Sequence, residues 1–508
     1  MKRLLTALIL LAAPHACLSA GLAGSRPNIL FILTDDQGYG DMSAHGNPVL
    51  KTPNLDRLRA EGRHFSDFNV SPTCAPTRSA LLTGRHEFRN GITHTILERE
   101  RMDPKAVTIA QVLKSAGYTT GIFGKWHLGD EKEYRPRARG FDEQFIHGGG
   151  GIGQSYPGSC GDAPGNLYFD PAILHNDSFV RTKGYCTDVF FEQAARWIEG
   201  VKGKQPFLCW LATNAPHAPY IARPEDRALY EGRGLGENVE NFFGMIHNID
   251  ENIGRLRARL EQWGIANDTL IVFINDNGTA AGHSVFNAGM RGQKGSPWLG
   301  GIRAISLWNW PGRIQPGECG ALTAHVDVFR TWAALAGASL PEAAQQQAEG
   351  RDLLPLLENP AAPWDERVLF THVGRWPKGQ DYHAFKDRNA SVRDSRWQLV
   401  SAAQPARKGQ PAPAAGWQLF DLKNDPGQQI DVAARHPGIA SALSARYDAW
   451  WDSLKGQADL NEQARGPELN PFAVEYWAQF GGGPTDADRQ RMDPARAWTF
   501  EAARAKKK

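Results

Sequence analysis

The sequence predicts an α/β fold, in which a large, mostly parallel sheet is sandwiched by helices and followed by a smaller C-terminal antiparallel sheet with one helix. Three observations lead to it. Four short apolar runs recur between residues 28 and 275, helical patterns separate them, and from residue 365 the pattern changes to short alternating strands.

Each apolar run is nearly continuous, as expected of a strand buried on both faces. Asn28–Thr34 leads into Asp35 and Asp36, and residues 119–124 lead into Lys125-Trp126-His127. Phe207–Ala212 leads to Pro216-His217, and Thr269–Asn275 into Asp276-Asn277-Gly278. Helical patterns cover residues 54–61, 108–116, 188–198 and 241–263; Gly62, Gly117 and Gly264 stop three of them, and Thr187 caps the other. Alternating strands and helices imply a parallel sheet covered on both faces, whose ligands bind beyond the carboxyl ends of the strands. All four polar clusters fall at those ends.

Residues 368–372, 390–394, 397–400 and 416–421 alternate as short strands, and a helix is expected over 439–451. The Pro/Ala-rich stretch 404–415 reads as a solvated loop. The expected organisation is a leader over 1–23, a main domain over 24–364, a subdomain over 365–456 and a peripheral tail over 457–508.

Met1-Lys2-Arg3, the apolar run 4–13 and the small residues Ser19, Ala20, Gly21 and Ala23 have the make-up of a secretory leader, cleaved near Ala20 or Ala23. The protein is therefore expected outside the cytoplasm, secreted or periplasmic. Cys17 invites a lipid-attachment reading, but Pro14 and His15 fit that poorly. No apolar stretch reaches the roughly 20 residues that span a bilayer, so no membrane association is expected after cleavage. Losing Lys2 and Arg3 takes the 57 basic residues to 55, against 55 acidic ones. Nothing global then points to nucleic acid, and any preference for anions must be local. Apart from Cys17 and Cys74, the cysteines are Cys160, Cys186, Cys209 and Cys319; Cys160 with Cys186 is the first pairing to test, and Cys209 reads as a buried thiol.

The chemistry centres on Ser71-Pro72-Thr73-Cys74-Ala75-Pro76-Thr77-Arg78, which opens a short helix read over residues 79–83 and stopped by Gly84. A helix amino terminus offers free amide donors to an anion. Asp35 and Asp36 are adjacent like charges that a cation would compensate, and Asp276 and Asn277 complete an all-oxygen set. Such ligands suit Ca²⁺, or Mg²⁺ in a tighter cavity, and no convergent His/Cys cluster suggests structural zinc. Taken singly, an Asp-Asp pair is as readily a helix cap, and a lone Lys or His a solvated or structural residue.

Together and in this order, the segments resemble the sulfatase family of the alkaline-phosphatase-like superfamily. Cys74-Ala-Pro76-Thr-Arg78 is similar to the family's Cys-x-Pro-x-Arg, and Asp35-Asp36-Gln-Gly-Tyr-Gly-Asp41 and Asp276-Asn277-Gly278 to its metal-binding stretches. Gly124-Lys125-Trp126-His127, Pro216-His217-Ala-Pro219 and Arg291-Gly-Gln-Lys294-Gly295 are similar to its lysine and histidine loops. The resemblance spans about residues 26–455, with Asn275 where serine is frequent and Gln293 where glycine is common.

The resemblance implies that a maturation enzyme oxidises Cys74 to formylglycine, and that Asp35, Asp36, Asp276, Asn277 and the modified residue 74 hold the metal. It implies that Arg78 and Lys125 hold the modified side chain and that Lys125, His217 and Lys294 stabilise the sulfate. Either His217 or Lys294 would protonate the leaving alcohol, and His127 would take the proton that expels sulfate. A sulfated carbohydrate is the expected substrate, with Gly148–Gly151, the loop 152–180, Trp298, Arg303 and His372 as candidate pocket residues. Alternatives are a phosphonate or phosphate ester hydrolase of the same superfamily, and a sulfated-glycan binding protein without catalysis.

Overall fold

The apolar runs become neighbouring strands of one ten-stranded sheet, and their register brings the C-terminal ends into one row. The structure, a computed structural model, describes residues 21–402, 416–464 and 466–493. In chain order the strands are β1 (Asn28–Thr34), β2 (Arg63–Phe65), β3 (Thr119–Lys125), β4 (Glu143–His147), β5 (Ala172–His175), β6 (Ser178–Arg181), β7 (Phe207–Ala212), β8 (Thr269–Asn275), β9 (Ser306–Asn309) and β10 (Gly317–Cys319). In space they run β10-β2-β9-β8-β1-β7-β3-β4-β5-β6. From β8 to β4 all neighbours are parallel. The flanks are mixed, because β9 opposes both β8 and β2, and β4, β5 and β6 alternate in direction.

Residues on β1 divide the core by the two-residue period of a strand. Ile29, Phe31 and Leu33 face one apolar layer, with the helices Cys74–Thr83, Ile109–Ser115 and Asp327–Ala336. Leu30 and Ile32 face the other, with Pro53–Ala60, Cys186–Val201 and Glu237–Gln262. Register then fixes the site: Thr34 pairs with Asn275, Leu33 with Ala212, Ala212 with Gly124, and Lys125 with His147. The residues that follow these positions emerge on the same edge.

The C-terminal sheet is a four-stranded antiparallel meander of Leu369–His372, Ala390–Arg393, Trp397–Ser401 and Gln418–Asp421, covered by the helix Pro437–Asp452. The expected loop 404–415 lies outside the described residues, as do residue 403 and residues 1–20 of the expected leader. Residue 22 is already part of the body: Leu22 is buried and its N–H donates to Glu358, while Gly24 N–H donates to Ala334 O.

Several expectations need correction. The described part of the expected tail 457–508, residues 457–464 and 466–493, packs into the body: Phe472 is fully buried in the main core, Arg135 pairs with Glu475, and Asn461 donates to the carbonyls of Gly91 and Arg101. The pairing of Cys160 with Cys186 is absent, since all five described cysteines are free. Cys160 Sγ accepts from Gly129 N–H, whereas Cys186 opens a helix beside Asn214. The helix read over 79–83 begins at Cys74; Pro76 is tolerated in its first turn, where an N–H has no helical partner. Among the described residues no helix is long and apolar enough to cross a membrane.

Candidate active site

Every expected site residue belongs to one connected cluster on that sheet edge. Asp35 and Asp36 follow β1, with Asp35 N–H donating to Ala215 O and Asp36 N–H to Asp276 Oδ1 at 3.1 Å. Asp276 follows β8 and its N–H donates to Thr34 O. Lys125 ends β3, and its ammonium lies 2.6 Å from Asp35 Oδ2. Arg78, four residues into its helix, is 2.8 Å from Asp276 Oδ2 and donates to Lys125 O. Lys294 reaches Asp36 Oδ2 at 2.6 Å, and His217 Nε2 lies 3.7 Å from the same oxygen. Three buried carboxylates are thus matched by three cations, which offsets most of the cost of burying charge.

Cys74 opens a helix that is fixed at its far end. Gly84 caps the C-terminus at φ 68°, and an added Cβ there would come within 2.7 Å of Phe329. The Cys74 sulfur lies 3.5 Å from His127 Nδ1. His127 Nε2 is 2.9 Å from Thr95 O, and since a carbonyl only accepts, Nε2 carries the proton and Nδ1 faces Cys74 as an acceptor. Likewise His217 Nδ1 donates to Ala218 O at 2.7 Å, leaving Nε2 bare toward Asp36. Asp36 at φ 71° and His127 at φ 64° both hold left-handed backbone, a strain that persists where the surrounding structure fixes it.

Electrostatics separates the groups. Burial pushes His127 well below the usual imidazole range, and Lys125 adds to this; burial and the Lys294 charge bring His217 down to about 3. Both rings are neutral. Burial alone would lower Lys294, but Asp36 outweighs it and holds the ammonium above its ordinary value. Burial would likewise raise Asp36, yet Lys294 and His217 keep it well below the carboxylate range. Asp276 is pushed up to about 6 by burial and the nearby Asp35 charge, against Arg78. Burial raises the Cys74 thiol too, so this is no activated thiolate.

The donor set fits a hard cation. Asp35 Oδ1 and Asn277 Oδ1 are buried acceptors with no hydrogen-bond partner among the described residues. Asn277 Nδ2 donates to Asp36 Oδ1, which turns its amide oxygen outward from that bond. Ligand atoms of Asp35, Asp36 and His217 lie within 4.8 Å of one another. Orphaned oxygens of this kind are what an oxygen-seeking divalent ion satisfies.

Other candidate pocket residues divide. An added Cβ at Gly150 would lie 3.0 Å from His127 Cε1, and one at Gly151 2.8 Å from His217 Nδ1, so the glycine loop rests directly on both rings. Trp298, Arg303 and His372 are structural instead. Trp298 packs with Val400 and Phe420, Arg303 donates to Ser66 O over the Tyr39 ring, and His372 bonds Phe385 O. Sequence reasoning missed Thr95, because its contribution is a backbone carbonyl that carries no motif. It also missed Arg375, whose side chain bonds Thr95 from the C-terminal subdomain.

A family model described as Sulfatase matches residues 27–338. Arylsulfatase A of Bos taurus is 32% identical over 82% of this chain and 85% of its own length. N-acetylgalactosamine-6-sulfatase of Mus musculus is 32% identical over 89% and 92%. Among solved structures, Ps i-CgsB superposes with a TM-score of 0.72 at 27% identity, covering 92% of this chain and 99% of that one, and a second structure of it is a complex with k-i-k-neocarrahexaose. A phosphonate monoester hydrolase of Agrobacterium radiobacter shares the fold at a TM-score of 0.56 and 19% identity, over 85% of this chain and 96% of that one. The protein belongs to the sulfatase family of sulfuric ester hydrolases, on the alkaline-phosphatase-like fold.

Proposed function

We propose that the protein hydrolyses sulfate monoesters of carbohydrates, with Cys74 oxidised to formylglycine by a maturation enzyme and with a divalent cation, Ca²⁺ ahead of Mg²⁺, held by Asp35, Asp36, Asp276 and Asn277. The observation that carries the reading is the meeting of orphaned carboxylate and amide oxygens with the buried cations Arg78 and Lys125 and the half-buried Lys294 around Cys74. When present, the ion neutralises sulfate charge and residue 74, as a hydrated aldehyde, offers the nucleophilic oxygen. Support for a glycan comes from N-acetylgalactosamine-6-sulfatase and from the neocarrahexaose complex of Ps i-CgsB.

This chain's own residues divide the remaining work. Arg78 is committed to Asp276 and the Lys125 carbonyl, so it orients the helix that bears residue 74. Lys125 faces the anion as a fixed cation that needs no reorganisation as charge shifts to the leaving oxygen, and Lys294 adds its charge until its proton is transferred. Of the two candidates for general acid, Lys294 holds a proton at neutral pH and His217 Nε2 does not, so the leaving alcohol takes its proton from Lys294 Nζ. His127 Nδ1 is the bare acceptor facing residue 74 and takes the proton whose loss releases sulfate.

Export follows the same reading, with cleavage after Ala20 favoured over Ala23 because Leu22 is part of the core. The test is mass spectrometry of the peptide containing residue 74 together with sulfate release from a panel of sulfated disaccharides. Conversion of Cys74 and sulfate release abolished in Cys74→Ala are expected. A Cys74→Ala protein that turns over at the wild-type rate sinks the covalent scheme. Faster hydrolysis of matched aryl phosphates or phosphonates than of aryl sulfates would favour the superfamily's other chemistry.

A further inference from the structure

The C-terminal subdomain sends one half-buried cation to Thr95, at the back of His127. The segment after Leu369–His372 is clamped on both sides of Arg375. Gly374 sits so close to residue 93 that an added Cβ would come within 2.1 Å of Thr93 O, and Arg375 N–H donates to that same carbonyl at 2.9 Å. Trp376 O accepts from Arg99 at 2.6 Å, and its ring nitrogen donates to Glu462. Between these anchors Arg375 is held at φ 62°, left-handed backbone for a bulky residue. Its guanidinium donates to Thr95 Oγ1 at 3.2 Å, and Thr95 O is the acceptor that orients His127.

No carboxylate pairs with this side chain among the described residues, and its buried Nε has no hydrogen-bond partner. Burial disfavours its charge, and the Asp36 carboxylate acts against that. Through Thr95 the guanidinium lies on the His127 side of the site, behind the imidazole that faces Cys74. The reacting sulfate already has Lys125 and Lys294. A half-buried arginine whose Nε is cut off from water without a partner leaves donor capacity that a ligand can complete, and its planar fork suits carboxylate or sulfate.

We propose that Arg375 is a specificity-determining residue that binds a second anionic substituent of the substrate, a carboxylate or a further sulfate on the sugar next to the scissile ester. This rests on the sulfatase reading above. The best monosulfated disaccharide from the panel is compared with its counterparts carrying one further sulfate or one uronate carboxylate, using wild type, Arg375→Ala and Arg375→Lys. The preference for the doubly anionic sugar, as a ratio of kcat/KM values, is expected to fall roughly 10- to 100-fold in Arg375→Ala, mostly through KM, with partial rescue by Lys. Which of the two counterparts loses its preference identifies the anion. An equal loss on every substrate, or a loss confined to kcat, would assign Arg375 to the reacting sulfate or to His127 orientation and overturn the proposal, as would an unchanged ratio. Calorimetric titration of the same sugars needs no turnover. If wild type releases no sulfate, the functional reading fails, and the binding ratio still decides for or against Arg375.

Discussion

At the scale of single residues, function depends on protonation states that burial sets and hydrogen bonds orient. His127 is kept neutral by burial and presented as one tautomer by Thr95 O, so Nδ1 is a bare acceptor before substrate arrives, as the proposed base role requires. His127→Ala is expected to lower kcat by roughly 10²- to 10⁴-fold, the usual worth of a positioned general base. Steady-state kinetics on the best substrate, beside an unchanged unfolding midpoint, checks it, and a loss seen only in KM would exclude the role. The motif residues that the family resemblance carries meet in one cluster, Asp35, Asp36 and Asp276 just after strands and Cys74 and Arg78 on a helix. Thr95 and Arg375 were not legible in the sequence, since one acts through its backbone and the other arrives from a loop more than 200 residues beyond the Cys74 helix.

At the scale of elements, the central strands were legible to within a residue, because a run apolar on both faces has sharp ends: β1, β7 and β8 match their runs, and β3 extends one residue to Lys125. Helix starts were legible where the sequence spells a cap. Thr108 and Gln111 form a reciprocal capping box at the helix Ile109–Ser115, close to the expected 108–116. Cys186–Val201 and Glu237–Gln262 have no side-chain cap, and both begin before the expected residue. Strands β2, β5, β6, β9 and β10 are three or four residues long, too short for a periodic signal. The glycine loop after β4 is the element whose fit to the site is most demanding. Gly150→Ala places a methyl group 3.0 Å from the His127 ring, so either the ring or the loop must shift by a few tenths of an ångström. Since small misplacements of catalytic groups cost about 100-fold, kcat/KM should fall more than roughly tenfold with little change in thermal midpoint. Wild-type kinetics in this variant would show that the loop yields and the histidine does not.

At the scale of the molecule, two regions far apart in sequence complete the body. The segment 466–493 falls within the stretch 457–508 expected as a tail, yet Asn470 caps the helix Pro471–Phe480 and donates to Asp130, three residues past His127. Phe472 fills the main core beneath Arg135, and Phe472→Ala should cost about 3–5 kcal/mol in chemical denaturation, as for other buried aromatics. The second junction lies between the main body and the C-terminal sheet, where a cavity of 180 Å³ is lined by Ser71, Glu87, His325 and Trp450. Burial pushes the Glu87 carboxyl up to about 7, and its Oε2 has no hydrogen-bond partner among the described residues. Neither neighbouring imidazole compensates it, as burial brings His325 down to about 3 and His86 well below its usual range. Because the folded-state pKa is raised, the protonated acid is accommodated fully below the unfolded value of 4.5, and stability is lost as pH rises from there through about 7. Glutamine mimics the protonated acid without titrating. Glu87→Gln should therefore stabilise the protein at pH 8 by up to about 3 kcal/mol, a tenfold change in the acid constant being worth about 1.4, and the gain should shrink toward zero as pH approaches 4.5. Denaturation midpoints of the two proteins across that range measure the difference directly, and a gain that stayed constant with pH would mean that Glu87 does not titrate between the folded and unfolded states.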